Sequence, residues 1–261
     1  MGLTRADGPL APQPPTTVNY RVDGPAHKLF AQPFPRRVRA EVAGRTVLDT
    51  VDGMLVHETA LLPVLYVPFE DLDPEVLEPT DHHTHCPFKG DASYHSLVVG
   101  DRTVENAVWS YPEPTAEAPW LKGYAALYWS AADAWFDEDE QVYAHLTDPY
   151  TRVDVRPTRR HVEVWHGDVL VAASDAPTVL SETGLPNRWY LPRDAVQVPL
   201  AASETRSRCP YKGEAHYWSA TLPDGTEVPD IAWSYPDPLP ESSRVEGLLS
   251  FWGDDVRVEV R

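Results

Sequence analysis

The chain has 261 residues, with 40 acidic against 22 basic side chains and a formal net charge of −18. This length accommodates one large domain or two modest ones, each able to bury a core of its own. The acidic balance opposes phosphate backbones and anionic lipid surfaces, so neither nucleic acid nor a membrane is an expected partner.

The first 17 residues contain four prolines between positions 9 and 15, which predicts a disordered tail over 1–17. Residues 1–15 lack the apolar core of a signal peptide, and no run of the sequence approaches the roughly 18 apolar residues of a membrane span. We therefore expect a cytoplasmic protein. Structure is expected to begin near Asn19–Asp23, with Tyr150–Val155 as the counterpart of that segment.

Two hairpins are predicted from strand-like segments on either side of a glycine, the first of which opens with alternating apolar and polar residues. In the first, Val38–Val42 is followed by Gly44 and by Val47–Val51; residues 161–165 and 169–173 repeat this pattern around Gly167. The short stretches 70–77 and 193–198 that come later are each expected to hold one helical turn, because proline falls too often for more.

The last strands are predicted from turn signals. Residues 214–222 and 227–235 flank Pro223-Asp224-Gly225-Thr226, which is typical of an antiparallel hairpin. A final strand pair is expected from 245–252 and 256–260, mirrored in the first half. With 27 prolines, the fold class should be mainly β: two homologous small antiparallel domains, sheet-like or barrel-like, in tandem with little helix.

The two halves of the chain carry the same motif. Cys86-Pro87-Phe88-Lys89-Gly90 in the first half matches Cys209-Pro210-Tyr211-Lys212-Gly213 in the second, an offset of 123 residues (209 − 86). Trp109-Ser110-Tyr111-Pro112 matches Trp233-Ser234-Tyr235-Pro236 at an offset of 124 (233 − 109). Repetition at offsets that differ by only one residue predicts two homologous domains, which we place at 18–146 and 147–261.

Both copies resemble the bacterial family of domain of unknown function 427, whose pattern is Cys-Pro-x-Lys-Gly-x-Ala-x-Tyr followed by Trp-x-Tyr-x-x-Pro. The resemblance covers roughly residues 20–260 and implies compact β-rich domains without an established activity. One name used for the family evokes nucleotidyl transfer. The chain has neither a glycine-rich phosphate loop nor paired metal-binding aspartates that would support it.

The candidate catalytic residues lie in the second copy. A thiol near a lysine at a turn, as in Cys209 with Lys212, could act as a nucleophile, although a free cysteine is more often a small buried apolar residue at a tight turn. Glu182 could serve as a general base in an aromatic setting, or accept a hydrogen bond from a backbone amide.

The candidate ligand-binding residues are basic, acidic and aromatic side chains of the repeated blocks. Arg188 could bind a carboxylate with two hydrogen bonds, whereas the first copy has Val64 there. Tyrosine and tryptophan rings could stack on a flat or cationic ligand, or simply pack in a core. The set comprises Arg188, Tyr190, Tyr217, Trp233 and Tyr235, with Glu58, Tyr66, Cys86, Lys89, Trp109 and Tyr111 in the first copy.

Asp81–Cys86 is a candidate metal site, because histidines alternate before the cysteine and His57 or His95 could complete a tetrahedron. The second copy has Thr205-Arg206-Ser207-Arg208 there, so neither a metal nor another cofactor is predicted.

Three functions remain open from the sequence: a small-molecule-binding protein that acts through Cys209, a non-catalytic aromatic binding module, and an acidic scaffold. The tandem repeat favours a monomer with internal pseudo-two-fold symmetry.

Overall fold

The computed structural model describes residues 2–5, 8–13, 16–19 and 23–261. They form two compact units. Domain one is Leu3–Asp148, and domain two is Pro149–Arg261 together with Gly2. The fold is mainly β, as predicted.

Domain one alternates strands with single turns of 3-10 helix. Its strands are β1 (Leu29–Pro33), β2 (Val38–Val42), β3 (Arg45–Thr50), β4 (Met54–Glu58), β5 (Val64–Pro68), β6 (Leu77–Cys86), β7 (Gly90–Val99), β8 (Arg102–Ser110), β9 (Tyr124–Leu127), β10 (Ala134–Asp137) and β11 (Glu140–Val142). The 3-10 turns are Phe69–Asp71, Pro74–Val76, Pro119–Leu121 and Trp129–Ala131.

Domain two repeats this order. Its strands are β12 (Val153–Pro157), β13 (Val162–His166), β14 (Val169–Ser174), β15 (Thr178–Glu182), β16 (Arg188–Tyr190), β17 (Leu200–Cys209), β18 (Gly213–Thr221), β19 (Glu227–Ser234), β20 (Ser250–Phe251) and β21 (Val256–Val260). The 3-10 segments are Arg193–Ala195 and Pro240–Val245.

The strands of domain one form a seven-stranded sheet in the order β1-β4-β5-β9-β8-β7-β6 and a four-stranded sheet in the order β11-β10-β2-β3. In domain two the large sheet is divided into β12-β15-β16 and β17-β18-β19-β20. An isolated bridge between Leu191 and Leu249 joins the two parts. Every sheet of the described residues has two open edges, so the sheet-like form of the prediction is the one adopted.

Each large sheet is covered on both faces because its strands alternate. In β9, the neighbours Ala125 and Ala126 are both buried but belong to different clusters. In β19, Ala232 packs between the sheets and Trp233 packs on the opposite face. The core between the sheets is mostly aliphatic, with Trp135 and Phe251 among its aromatic members, whereas the opposite face carries the buried tyrosines of the repeated motif together with Trp109 and Trp233.

The predicted hairpins β2–β3, β13–β14 and β18–β19 are confirmed, as is the single helical turn after β16. The stretch after β5 holds two 3-10 turns instead of the one expected. The final strand pair is wrong. β20 pairs with β19, and β21 pairs with β13, because the chain turns between them, where the Val256 amide donates to the Gly253 carbonyl at 3.2 Å, and passes to a different sheet.

β6 and β17 were not predicted as strands. They are ten residues long, lie at the edge of their sheets and are mostly exposed on both faces. They therefore lack the apolar alternation on which the prediction relied. The pairing of β17 with β18 is interrupted between Ala202 and Arg206.

The expected counterpart of Tyr150–Val155 was also wrong. β12 pairs with β15 as β1 pairs with β4, so the equivalent of β12 is β1. Of the expected first segment, Tyr20–Val22 lies outside the described residues.

Part of the predicted tail packs on domain one. Thr4 and Ala11 are buried, the Thr4 hydroxyl donates to the Leu61 carbonyl at 2.9 Å, and the Thr59 hydroxyl donates to the Leu10 carbonyl at 3.0 Å.

Candidate functional site

The repeated Cys-Pro-x-Lys-Gly motif forms the turn between two long strands. Cys209 ends β17 and Gly213 begins β18, and the Lys212 amide donates to the Cys209 carbonyl at 3.2 Å. Gly213 has φ +97°, and a Cβ there would lie 3.1 Å from the Asp237 carbonyl oxygen. Glycine is required here for two reasons: the backbone has a positive φ, and no space is left for a side chain. The predicted tight turn is confirmed.

This turn directs the lysine toward the end of a neighbouring strand. Lys212 Nζ donates to Oε2 of Glu182, the last residue of β15, at 2.6 Å. Each side chain is 11% exposed. In domain one the same contact joins Lys89 to Glu58 at 2.5 Å. The two candidates predicted separately as a base and a cation are therefore partners of each other in both domains.

Two tyrosines lie beside the ion pair of domain two. Tyr190 and Tyr235 are buried, and burial raises the pKa of both phenols above the ordinary value. They are therefore uncharged near neutral pH and act as hydrogen-bonding aromatic walls. Trp233 packs edge-on against Tyr190 with ring centroids 6.5 Å apart, and the Tyr217 hydroxyl hydrogen-bonds to Ser207 Oγ at 2.8 Å.

These side chains surround a cavity of about 310 Å³ in domain two. Its walls are aromatic and aliphatic, with two basic and two acidic side chains among them. The lining residues are Leu180, Glu182, Leu185, Pro186, Arg188, Tyr190, Lys212, Tyr217, Asp230, Trp233, Tyr235 and Trp252.

Arg188 is held by aromatic faces. Its guanidinium carbon lies 4.5 Å from the ring centre of Trp252 and 5.8 Å from that of Trp233. Trp252 is 63% exposed, so it forms the outer wall. Asp230 Oδ2 accepts a hydrogen bond from Thr205 at 2.7 Å, while its buried Oδ1 has no partner in the described chain.

Both cysteines are free and half-buried. Cys209 is close enough to Tyr190 and Tyr235 to act on them electrostatically, yet the residues lining the cavity include Lys212 and not Cys209. Cys86 packs against the equivalent aromatic cluster of domain one. The structure thus brings the predicted residues of domain two together around the cavity, except Cys209, which is not among the residues that line it.

Domain one has the same framework with a different filling. Tyr66 and Tyr111 are buried, and Trp109 Nε1 donates to the Tyr66 hydroxyl at 3.2 Å. Burial raises the pKa of both phenols. Val64 replaces Arg188 and Tyr128 replaces Trp252.

In domain one, an additional side chain contacts the carboxylate of Glu58. His27 Nε2 lies 2.8 Å from Glu58 Oε1, and its ring stacks on Phe88 with centroids 3.8 Å apart.

The histidines of the candidate metal site at Asp81–Cys86 have other contacts. His83 Nδ1 lies 3.3 Å from the Ala92 carbonyl oxygen, and His85 Nδ1 lies 2.6 Å from Asp91 Oδ1. Within the ranges that the structure describes, no three His, Cys, Asp or Glu side chains converge as metal ligands would.

Several residues that line the cavity were not predicted from the sequence. Trp252 was assigned only to a strand, although Tyr128 stands 124 residues before it (252 − 128) and the shared aromatic position was a detectable signal. Asp230 and Asn106 are likewise equivalent, and both have φ +51°. Leu180, Leu185 and Pro186 carry no chemical signal. His27 lies outside the repeated pattern.

Fold and site together define a tandem β protein with a small-molecule-sized cavity in its second repeat. The family model described as "Domain of unknown function (DUF427)" matches twice, over residues 30–138 and 154–261. The chain belongs to this family as a tandem of two copies. A search of curated proteins gives no match. Across the described ranges, helices of the length and apolarity needed to cross a bilayer are absent.

Proposed function

We propose that domain two binds a small organic ligand that has a flat apolar part and an anionic group. The observation that carries this proposal is the cavity of about 310 Å³, which lies at the lower end of the range for small-molecule sites. Its walls combine large apolar surfaces with a few polar groups, as such sites do.

Arg188 supplies the anion-binding group. In the described part of the chain its guanidinium has no carboxylate partner, and its contacts are the faces of Trp252 and Trp233. Stacking fixes the plane of the guanidinium and leaves its N–H groups at the edge for a carboxylate, which it can bind with two hydrogen bonds. A flat ligand would lie between the tryptophans and tyrosines.

The contacts favour binding over catalysis. A nucleophile must reach the ligand, and Cys209 is not among the residues that line the cavity. The amine of Lys212 is already paired with Glu182, so it is not a free nucleophile. The catalytic alternative, with Cys209 as nucleophile and Lys212 and Glu182 assisting, therefore ranks second. We propose that the protein performs this role as a cytoplasmic monomer.

Native and denatured mass spectrometry of the protein purified without chelator tests the proposal. The matched variant is Arg188→Val, because domain one carries Val64 at that position. We expect an additional mass on the wild type that disappears on denaturation and is absent from Arg188→Val. A Cys209→Ser variant should retain it.

Two results would contradict binding without chemistry. A mass that survives denaturation and is missing from Cys209→Ser would make Cys209 a nucleophile. An apo mass in the wild type, together with unchanged tryptophan fluorescence across a panel of aromatic carboxylates, would favour a scaffold.

A further inference from the structure

His27 fills the acid-binding position of domain one from within the chain. Its imidazole approaches Glu58 Oε1 at 2.8 Å, and Lys89 occupies Oε2 at 2.5 Å. A carboxylate engaged by lysine only accepts hydrogen bonds, so Nε2 of His27 is the donor. Both oxygens of Glu58 are thereby used, and the 9% exposed carboxylate is shielded from water.

Domain two has the same framework without the imidazole. The backbone next to the acid is anchored identically: the Lys28 amide donates to Thr59 Oγ1 at 2.9 Å, and the Arg152 amide donates to Thr183 Oγ1 at 3.0 Å. The residue before each anchor is His27 in domain one and Thr151 in domain two. A threonine side chain is too short to replace the imidazole.

Glu182 consequently has one oxygen to offer. Oε2 accepts from Lys212 at 2.6 Å, and no described residue donates to Oε1. Glu182 lines the cavity that also holds Arg188. One cavity therefore presents a carboxylate oxygen at one point and an unpaired guanidinium at another.

We infer that His27 marks, in domain one, the place that an N–H group of the ligand takes at Glu182 in domain two. The ligand class is an azole carboxylate: a planar ring that donates an N–H to Glu182 Oε1 and carries a carboxylate for Arg188. This inference rests on the proposed function and narrows it. It also makes domain one a repeat whose own chain closes the equivalent position.

Three probes separate the two ends of the ligand. Imidazole-4-acetate has both groups, phenylacetate lacks the N–H, and 4-methylimidazole lacks the carboxylate. By calorimetry and tryptophan fluorescence, we expect imidazole-4-acetate to bind the wild type at least tenfold more tightly than either of the others. Arg188→Val should remove its advantage over 4-methylimidazole.

The acid is removed in the double variant Glu182→Met/Lys212→Met, which leaves no unpaired charge. In it, imidazole-4-acetate should bind no better than phenylacetate. If phenylacetate equals imidazole-4-acetate in the wild type and both require Arg188, the azole assignment is overturned while the proposed function stands. If neither carboxylate binds at millimolar concentration, the azole assignment is also overturned, and the proposed function is judged by native mass.

A second experiment tests the marker itself. In His27→Gly, free imidazole at alkaline pH should fill the vacated place and raise the melting temperature of domain one, whereas N-methylimidazole at the same pH, where its ring is neutral and lacks an N–H, should not. The wild type serves as control and should show no shift. Equal effects of the two compounds, or no effect of imidazole on His27→Gly, would overturn the inference.

Discussion

Lys212 and Glu182 form a 2.6 Å ion pair with 11% of each side chain exposed, and Lys89 and Glu58 reproduce it at 2.5 Å in the other repeat. The lysine lies in a tight turn, and the glutamate ends a strand about thirty positions earlier. The pair therefore fastens the turn of the long hairpin to a neighbouring strand in each domain.

Breaking the pair on one side should be costly. Lys212→Met leaves a nearly buried carboxylate unpaired, and we expect a loss of about 3 kcal/mol in the free energy of unfolding of domain two. Glu182→Met/Lys212→Met should recover most of it. Urea unfolding measures both. Lys122→Met breaks an exposed pair with Glu113, whose side chains are 63% and 84% exposed, and should cost under about 1 kcal/mol. Equal costs for Lys212→Met and Lys122→Met would contradict the expectation.

Gly213→Ala should destabilise domain two by more than its matched control, Gly225→Ala. Both glycines have positive φ, at +97° and +88°, but only Gly213 is packed against backbone, while Gly225 has open space around the Cβ position. We expect about 1 kcal/mol for the control from backbone strain alone, and a larger loss for Gly213→Ala. Thermal unfolding of both variants decides this, and an equal loss would show that the Asp237 carbonyl moves away freely.

Trp252→Ala should separate binding from stability. The side chain is 63% exposed and lies 4.5 Å from the Arg188 guanidinium, a contact worth about 0.5–1 kcal/mol at such a site. The free energy of unfolding should change by no more than this, while the ligand of domain two, followed by native mass, should be lost or bound more weakly. Undiminished ligand occupancy in Trp252→Ala would remove this residue from the site.

Domain one should lose stability in acid through its histidines. Burial lowers the pKa of His95 and of His57, the latter against an opposing effect of Asp148. The unfolded chain, with an ordinary pKa of about 6.5, therefore binds protons first, and the stabilisation is lost as the pH falls below that value. In urea unfolding between pH 7.5 and 5, His95→Gln should lose less stability than the wild type.

His161 provides the control of opposite sign in domain two. Hydrogen bonds to Asp175 and Glu163 raise its pKa, so its contribution is present below the unfolded value and fades as the pH rises through the folded one. His161→Gln removes this contribution, so the variant should lose less stability than the wild type as the pH rises. The same sign for both variants would contradict the assignment.

Local patterns predicted the parts of the fold that local physics decides. Val38–Val42 alternates because one face is buried and the other is not, and Asp224-Gly225 makes a turn in any context. The partners of β20 and β21 depend on strands distant in the chain, which no local pattern specifies. β6 and β17 were not predicted as strands because neither face of an exposed edge strand needs apolar residues.

The duplication identified residues that line the cavity, but not the contacts between them. Equivalent positions identified Glu182, Lys212, Trp233 and Tyr235, but repetition cannot show that the first two pair with each other across thirty residues. His27 could not be found this way, because it has no equivalent histidine, and Asp230 was not singled out because its equivalent is the uncharged Asn106.

The interrupted pairing of β17 bears on how the protein behaves at high concentration. A long edge strand is a template on which another chain can add its own strand. Here the register breaks between Ala202 and Arg206, and the exposed side chains of the strand include Glu204, Arg206 and Arg208. An incoming strand would meet an irregular stretch of backbone and charged side chains instead of a regular ladder. The edge is thus protected against open-ended aggregation by the same ten residues that support the motif turn.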